Sequence, residues 1–282
     1  MNKNNNIDAI QNLNNVNANG FRNTSKSGEY ISSAIQADTL FTFTTKVKYL
    51  CDYIKWGYIP ARYCVEDVSY LKLDFEKIGM PMKCFCDIRL HELKFHLDCY
   101  GYYGIAFSKE WGMRNKLQPV HYINTDSYIR EDYSFAFSEM MEMQKKHIHS
   151  AGNNYILELL LYMKPYQGNF MYRKTQEYKP KCFTEESEWR FVPNFNGEDY
   201  KTFLLNSNDF NVEYMKELND CLASDKKYAL RYDYDEIKYI IVENVNDFNT
   251  IVNCIVGLNL EENMRNSLIS KIIIWSESKG DF

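Results

Sequence analysis

The sequence has no run of apolar residues long enough to cross a lipid bilayer, which takes about 18 to 20 of them. Its amino terminus also lacks the apolar core of a secretory signal peptide. Both absences argue against a membrane-spanning or a secreted protein. We therefore expect the chain to act in the cytoplasm.

Several familiar signatures are missing as well. The sequence contains no glycine-rich phosphate loop, no internal repeat and no array of heptads. The formal net charge of −5 argues against a broad surface for nucleic-acid phosphates, although it allows a local basic patch.

Cysteine is present, but its pattern is not that of a disulfide-stabilised protein. The eight cysteines are scattered through 282 residues, most of them in apolar contexts. A chain of this length can build a core without covalent cross-links. We therefore expect reduced thiols in the core.

The sequence contains enough apolar material for a sizeable core. Hydrophobic residues make up 45% and aromatic residues 16% of the chain. Residues 1–28 are rich in Asn and poor in large apolar side chains, which predicts a disordered tail. Residues 29–282 are expected to form a single domain.

In that domain, short apolar runs alternate along the chain with segments whose apolar residues have helical spacing. This pattern predicts an α+β fold with a split, mixed or antiparallel sheet wrapped by helices. The runs at 82–88, 103–107 and 120–123 are expected to be adjacent buried strands. Segments 58–79 and 165–180 are irregular and predict surface connections. The other predicted strands are 38–45, 237–242 and 271–275, and the predicted helices are 46–55, 90–100, 128–149, 212–222 and 248–258.

Glu186 and Glu188 are the leading candidates for chemistry. On an extended segment, side chains two residues apart share a face, so the two carboxylates would point the same way. One could act on a ribose hydroxyl or stabilise a developing cation while the other orients a nucleophile. The alternative is a solvated acidic turn. The same alternative applies to Ser108, Lys109 and Glu110, which follow a predicted strand.

A metal site is a weaker hypothesis. Cys84, Cys86, His91, His96 and Cys99 are of the residue types that bind zinc. However, the C-x-x-C spacing of zinc knuckles is missing, and the two histidines are five residues apart, so on a helix they diverge. No local signature supports a Cys–His nucleophile pair either. We expect no metal.

A series of motifs in order resembles the AbiGi-like family of abortive-infection, or phage resistance, proteins. The match covers roughly residues 40–193 and weakens in the C-terminal third. The motifs are LFTFTT at 40–45 followed by Gly57, then Glu66, PMKCFCDIRL at 81–90, YGYYGIAFSKEWG at 100–112, PVHY at 119–122 and EESEWRFVP at 185–193.

The predicted strand, helix and glycine at 38–57 also resemble the opening of the ADP-ribosyltransferase fold. That resemblance implies NAD as the cofactor. In the fold, a His-x-Thr motif on the first strand holds a ribose of NAD. Here Thr42, Phe43 and Thr44 occupy its place, so a threonine replaces the histidine.

The same resemblance implies roles for five further residues. Phe107 and Ser108, followed by Lys109, match the serine-bearing strand that supports the nicotinamide. Glu188 would stabilise the oxocarbenium-like transition state, and Glu186 would orient the acceptor.

These resemblances imply two alternative functions. The first is an NAD-dependent ADP-ribosyltransferase-like enzyme that acts in phage defence on a nucleic acid or a protein. The second is a non-catalytic antitoxin or sensor that binds a cognate toxin or a phage component. The missing histidine at Thr42 favours the second, and tyrosine-rich surfaces suit protein partners.

Overall fold

The computed structural model describes residues 37–148, 151–172, 175–194 and 211–280. The described residues belong to one structural unit. The predicted tail at 1–28 and the boundary after it lie outside these ranges.

Strands and helices are named in chain order. The strands are β1 (Thr39–Thr44), β2 (Tyr58–Pro60), β3 (Arg62–Asp67), β4 (Lys77–Asp87), β5 (Tyr103–Ser108), β6 (Gln118–Pro119), β7 (His121–Ile123), β8 (Met163–Pro165), β9 (Gln167–Tyr172), β10 (Glu177–Cys182), β11 (Glu188–Phe191), β12 (Ala229–Arg231), β13 (Tyr239–Val242) and β14 (Ile272–Ile274). The helices are α1 (Val47–Trp56), α2 (Leu93–Tyr100), α3 (Lys109–Arg114), α4 (Tyr128–Lys145), α5 (Ala151–Leu161), α6 (Val212–Ser224), α7 (Val245–Val256), α8 (Glu262–Ser270) and α9 (Trp275–Ser278).

Eight strands form a mixed sheet in the order β14, β13, β5, β1, β4, β11, β6, with β3 paired to β4. Among the described strands of this sheet, only β13 and β14 run parallel to each other. Helices pack against this sheet, so the predicted α+β class with a mixed sheet is confirmed.

The long strand β4 changes partners along its length. It pairs with β3 over residues 77–82, with β11 over 83–86, and with β1 only at Cys86 and Asp87. Strand β1 nevertheless continues beside β5 as far as Thr44. The second half of β1 therefore leaves β4, and the sheet is divided at this point.

The predicted adjacency of three strands is wrong. Strand β1 lies between β4 and β5, where Phe41 pairs with Cys86 on one side and with Ala106 on the other. The run at 120–123 forms β7, which pairs with β8 outside the main sheet. A local pattern shows that a segment is extended, but the strand beside it is chosen by contacts far away in sequence.

Both faces of the sheet are covered, so β1 buries side chains in both directions. Leu40 packs in a core beneath α1 and α7, whereas Phe41 packs against α2. A third cluster joins the first half of β4 to α4 and α5 through Met80, Phe137 and Leu160.

The two segments expected to be irregular contain strands. Residues 58–79 include β2, β3 and the start of β4, while 165–180 supplies β9 and most of β10, which form an antiparallel hairpin. Strand β2 has three residues, and β3 and β9 expose alternate side chains. Such short or half-exposed strands give a weak apolar signal.

One pair of cysteines contradicts the expectation of reduced thiols. Cys51 of α1 and Cys254 of α7 form a disulfide, with their Cα atoms 6.1 Å apart. The two helices pack side by side, which brings together residues 203 positions apart. No local spacing could have indicated this pairing. The free cysteines are Cys64, Cys84, Cys86, Cys99, Cys182 and Cys221.

Within the described ranges, no helix combines the length and the apolar character needed to cross a membrane.

Two glycines with positive φ provide a matched test of the turns around β1. Gly101 (φ +115°) ends α2, and a Cβ there would lie 2.4 Å from the Thr44 carbonyl oxygen. Gly57 (φ +68°) ends α1 with open space around it. We expect Gly57→Ala to lower the free energy of unfolding by about 1–2 kcal/mol through backbone strain alone. Gly101→Ala should cost roughly 1–3 kcal/mol more because of the clash. Urea unfolding measures the free energy of unfolding of both variants. Equal losses would contradict the predicted clash between a Cβ at position 101 and the Thr44 carbonyl.

Candidate functional site

A pocket of about 520 Å³ lies where β1 diverges from β4. Its walls come from β1, β3, β4 and the β9–β10 hairpin, and its polar groups include Glu66, Lys164, Glu186 and Glu188. The volume falls within the usual range for small-molecule sites. The lining residues also include Phe41, Thr42, Phe43, Arg62, Cys64, Val65, Met82, Lys83, Cys84, Cys86, Tyr100, Phe170 and Met171.

One side of this pocket rests on a network of ion pairs that is largely buried. The network contains three cations and three carboxylates, so its formal charges balance. Five elements supply them: β3, β8, β10, β11 and the 3₁₀ helix Phe183–Glu186. The members are Lys164, Lys181, Arg190, Glu66, Glu186 and Glu188.

Glu188 lies at the centre of the network and is 5% exposed. Its Oε1 accepts a hydrogen bond of 2.7 Å from Arg190 Nε, and its Oε2 accepts one of 2.7 Å from Lys164 Nζ. Its backbone N–H donates to the Tyr122 hydroxyl at 2.9 Å. Both carboxylate oxygens are therefore already bound to cations.

Arg190 is completely buried and connects three elements. Besides Glu188, it donates to Glu66 Oε2 at 2.8 Å and to the Leu161 carbonyl oxygen at 2.9 Å. The Leu161 carbonyl ends α5, where a cation is favourable because the last carbonyls of a helix lack partners.

Glu186 is 2% exposed and binds two lysines. Its Oε1 accepts from Lys181 Nζ at 2.6 Å and also from the Tyr100 hydroxyl, while its Oε2 accepts from Lys164. The Lys181 ammonium also lies 4.2 Å from the centre of the Phe170 ring. Cation–π contacts with Phe170 and its neighbours add to the stabilisation of this buried charge.

The two glutamates do converge, but by a different geometry from the one predicted. Glu186 ends the 3₁₀ helix, Ser187 adopts a left-handed conformation with φ +44°, and Glu188 begins β11. The turn at Ser187 directs both carboxylates onto Lys164. The alternative of a solvated acidic turn is wrong, since both side chains are buried.

The network shifts the pKa of both carboxyl groups downward. Burial alone would raise the pKa of Glu188, but Arg190 and Lys164 outweigh it and hold that pKa well below the usual range. Burial opposes ionisation of Glu186 in the same way, and Lys164 and Lys181 lower its pKa. Both groups remain ionised at neutral pH, so neither has the pKa near 7 that suits a general acid or base.

Of the NAD-binding residues that the resemblance implies on β1, two line the pocket and one does not. Thr42 and Phe43 line the pocket, whereas Thr44, at the end of β1, is not among the lining residues.

The remaining implied residues have structural contacts. Phe107 stacks on Trp111 in the core, with ring centres 4.1 Å apart. The Ser108 hydroxyl accepts a hydrogen bond from the backbone N–H of Trp111 and so caps the amino-terminal end of α3. Lys109 forms an ion pair of 2.6 Å with Asp87. None of the three lines the pocket.

The residues considered for zinc are dispersed. His91 is exposed beside Glu92, and His96 is buried among the rings of Phe43, Phe95 and Tyr100. In the described part of the chain, no three His, Cys, Asp or Glu residues are grouped so as to hold a metal ion.

Sequence reasoning missed the cations of the network. Lys164 and Lys181 lie in the short strands β8 and β10, just outside the two ends of the predicted surface connection at 165–180, and no local pattern marks them as buried. Arg190 binds Glu188 directly. Strand alternation puts Trp189 on the opposite face from Glu188, and Trp189 packs against the core beneath α1.

A family model described as "Putative abortive phage resistance protein AbiGi, antitoxin" matches residues 58–243, more than half of the chain. The abortive phage resistance protein AbiGi of Lactococcus lactis subsp. cremoris is 28% identical over 250 residues, covering 80% of this chain and all of that protein. No solved structure matches. These matches confirm the family expected from the sequence: the chain belongs to the AbiGi family of abortive phage resistance proteins.

Proposed function

We propose that this chain is an antitoxin in anti-phage defence and that it acts by binding a cognate toxin, without catalysis. The observation that carries the proposal is the neutralisation of Glu186 and Glu188 by Lys164, Lys181 and Arg190. The description of the matching family model as an antitoxin supports the same function.

A catalytic glutamate of the transferase type must offer negative charge to a cationic transition state. In Glu188, each carboxylate oxygen faces a cation at 2.7 Å, so the charge available to a substrate is largely compensated. Ser108 and Lys109 are likewise engaged in a helix cap and an ion pair. This arrangement fits a structural role for Glu188 better than a catalytic one.

Helix α4 offers a surface suited to a protein partner. Residues at spacings of three and four form a stripe along its exposed side that combines aromatic rings with carboxylates. Tyr128 is 84% exposed and Phe135 59% exposed. Large exposed aromatic residues commonly anchor interfaces. The acidic groups complement a basic partner, and Glu142 among them also pairs with Lys145. The α4 stripe consists of Tyr128, Asp132, Phe135, Glu139 and Glu142.

We therefore assign the α4 stripe as the surface that meets a basic face of the toxin. In cells that express the cognate toxin, the wild-type chain should restore growth. Tyr128→Ala with Phe135→Ala should weaken toxin binding by about 2–4 kcal/mol and abolish the rescue. A matched control, Tyr178→Ala with Val256→Ala, removes two exposed apolar side chains elsewhere and should retain it.

The controls separate two kinds of failure. If the wild-type chain does not restore growth, the antitoxin role is wrong. If the wild type restores growth and the α4 variant does so equally well, the role stands and the surface is wrong.

An NAD-dependent ADP-ribosyltransferase-like enzyme is the second candidate. It is favoured by the pocket at the division of the sheet, where Thr42, Phe43, Glu186 and Glu188 all line one cavity. In this proposal NAD occupies that cavity, and a nucleic acid or a protein is the acceptor. If the chain is such an enzyme, a small amount of it, supplied with NAD, should ADP-ribosylate a large molar excess of the acceptor. Glu188→Gln should abolish that activity.

A further inference from the structure

Three aromatic rings form a continuous run at the carboxyl end of α1. The Trp56 ring stacks on the ring of Tyr58 in β2, with centres 5.4 Å apart and planes 17° apart. The Tyr53 ring lies 6.5 Å from that of Trp56, centre to centre. Tyr53 and Tyr58 are buried, whereas Trp56 is 40% exposed. Because Tyr58 covers one face of the indole, the exposed area lies mainly on the opposite face and the edges, where another flat ring can stack.

Cations lie at both ends of this run. The Lys226 ammonium is 5.5 Å from the centre of the Tyr58 ring, and Arg231 pairs in register with Tyr58 across β2 and β12. The Arg231 guanidinium also donates to the Lys226 carbonyl oxygen at 3.5 Å, so these two residues belong to one cluster. At the other end, the Lys83 ammonium lies 4.9 Å from the centre of the Tyr53 ring.

The charge of these cations is not compensated by an ion pair. In the ranges that the structure describes, none of Lys83, Lys226 and Arg231 has a carboxylate within salt-bridge distance. Asp225, next to Lys226 in the chain, instead accepts a hydrogen bond of 2.9 Å from the backbone N–H of Lys227. Uncompensated cations attract a polyanion even on a chain whose formal net charge is −5. These residues therefore form a local basic surface on an acidic protein.

An exposed aromatic ring between cations suits a single-stranded nucleic acid. A single strand can place a base on an aromatic side chain, and such stacking tolerates any sequence because every base has a π face. The bases of a duplex are already stacked on their neighbours and are less available. The phosphates on either side of the stacked base can approach Lys226 and Arg231 at one end of the run and Lys83 at the other.

We propose that this surface, the Trp56 patch, binds single-stranded nucleic acid, with a base stacked on Trp56 and phosphates on the cations at the two ends. The strand is bound and not modified. The inference goes beyond the antitoxin role and does not depend on it, because the α4 stripe lies on a different helix. The Trp56 patch consists of Tyr53, Trp56, Tyr58, Lys83, Lys226 and Arg231.

The test is fluorescence anisotropy of labelled oligonucleotides of about 12 nucleotides, titrated with the full chain. The probes are an oligouridylate, an oligothymidylate and a duplex of the same length. At least one single strand should bind saturably at about 50 mM salt and more tightly than the duplex, and its affinity should fall as salt is raised. Tighter binding of the oligouridylate would identify the strand as RNA, and tighter binding of the oligothymidylate would identify it as DNA.

Replacement of the indole tests the stacking contact. Trp56→Ala should weaken binding of the single strand about 5- to 100-fold. The matched control, Tyr155→Ala, removes an exposed ring from α5 and should bind as the wild type does.

Replacement of two cations tests the phosphate contacts. Lys226→Gln with Arg231→Gln should make the fall of log affinity with log salt less steep by about 1.4, since each phosphate contact on a single strand contributes about 0.7. Lys94→Gln with Arg114→Gln removes the same net charge from exposed positions elsewhere and should keep the wild-type slope.

Each other outcome overturns the proposal. If neither single strand binds, the Trp56 patch is not a nucleic-acid site. If the duplex binds as tightly as the single strands, or if Trp56→Ala binds as tightly as its control, no base stacks on the indole. If the charge variant keeps the wild-type slope, the phosphates lie elsewhere. Melting temperatures without ligand show which variants are folded, and Trp56→Leu, which keeps apolar volume without a flat ring, replaces Trp56→Ala when that variant is unfolded.

Discussion

Replacement of Arg190 by methionine is expected to lower the free energy of unfolding by about 3–5 kcal/mol. Arg190 is fully buried, and its loss leaves Glu188 with one cation instead of two and Glu66 with none from this network. A buried carboxylate without its partner is costly because it has lost its hydration as well. The Leu161 carbonyl also loses its donor.

Thermal and urea unfolding measure the effect of Arg190→Met. For a chain of this size, the expected loss corresponds to a fall in melting temperature of roughly 6–20 °C. The control is Arg114→Met, which removes an exposed cation paired with Glu236 and should cost at most about 1 kcal/mol. If the two variants lose the same stability, the network does not support the fold.

The second large effect is expected in acid. Glu186 and Glu188 have folded-state pKa values below 4.5, their usual value. The unfolded chain therefore takes up more protons than the folded one when the pH falls below about 4.5. The contribution of these carboxylates is fully present above that pH and is lost as the pH falls through the folded-state values.

Melting temperatures measured between pH 7 and pH 3 test this expectation. The wild type should be nearly constant down to about pH 5 and then fall steeply. Glu188→Gln should start lower at pH 7 and fall less steeply, because one titrating group is gone. Glu139→Gln removes an exposed carboxylate and should follow the wild-type profile. An acid limb of Glu188→Gln as steep as that of the wild type would contradict the pKa assignment.

The elements that could be predicted from sequence are those with a strong local pattern. Strand β1 has apolar side chains at alternate positions, and α1 ends at a glycine with positive φ. The predicted bounds of both elements agree with the structure to within one or two residues. The predicted helix at 128–149 corresponds to α4. These patterns need no information from the rest of the chain.

The partners of those elements could not be predicted in the same way. Glu66 and Arg190 are 124 residues apart, and Lys164 is 24 residues from Glu188. Nothing local distinguishes a lysine that will be buried beside a carboxylate from one on the surface. The disulfide between Cys51 and Cys254 could not be predicted from the sequence for the same reason. Long-range pairing decides which charged residues become a site.

The candidate site itself was identified in part. The E-x-E motif predicts two neighbouring carboxylates, and both contact Lys164, although through the turn at Ser187 and not along an extended strand. Thr42 and Phe43 line the same pocket. Phe107, Ser108 and Lys109 were misplaced because a strand end that carries polar residues can begin a helix as readily as it can face a ligand. Here Ser108 caps α3.

A titration of the purified cognate toxin with this chain tests the central claim most directly. Toxin activity is measured against the molar ratio of chain to toxin, with and without NAD. A binding antitoxin predicts that activity falls in proportion to the added chain and reaches its minimum at a fixed stoichiometric ratio, whether or not NAD is present. Complete inactivation by a small fraction of an equivalent, only when NAD is present, would show catalysis and contradict the account.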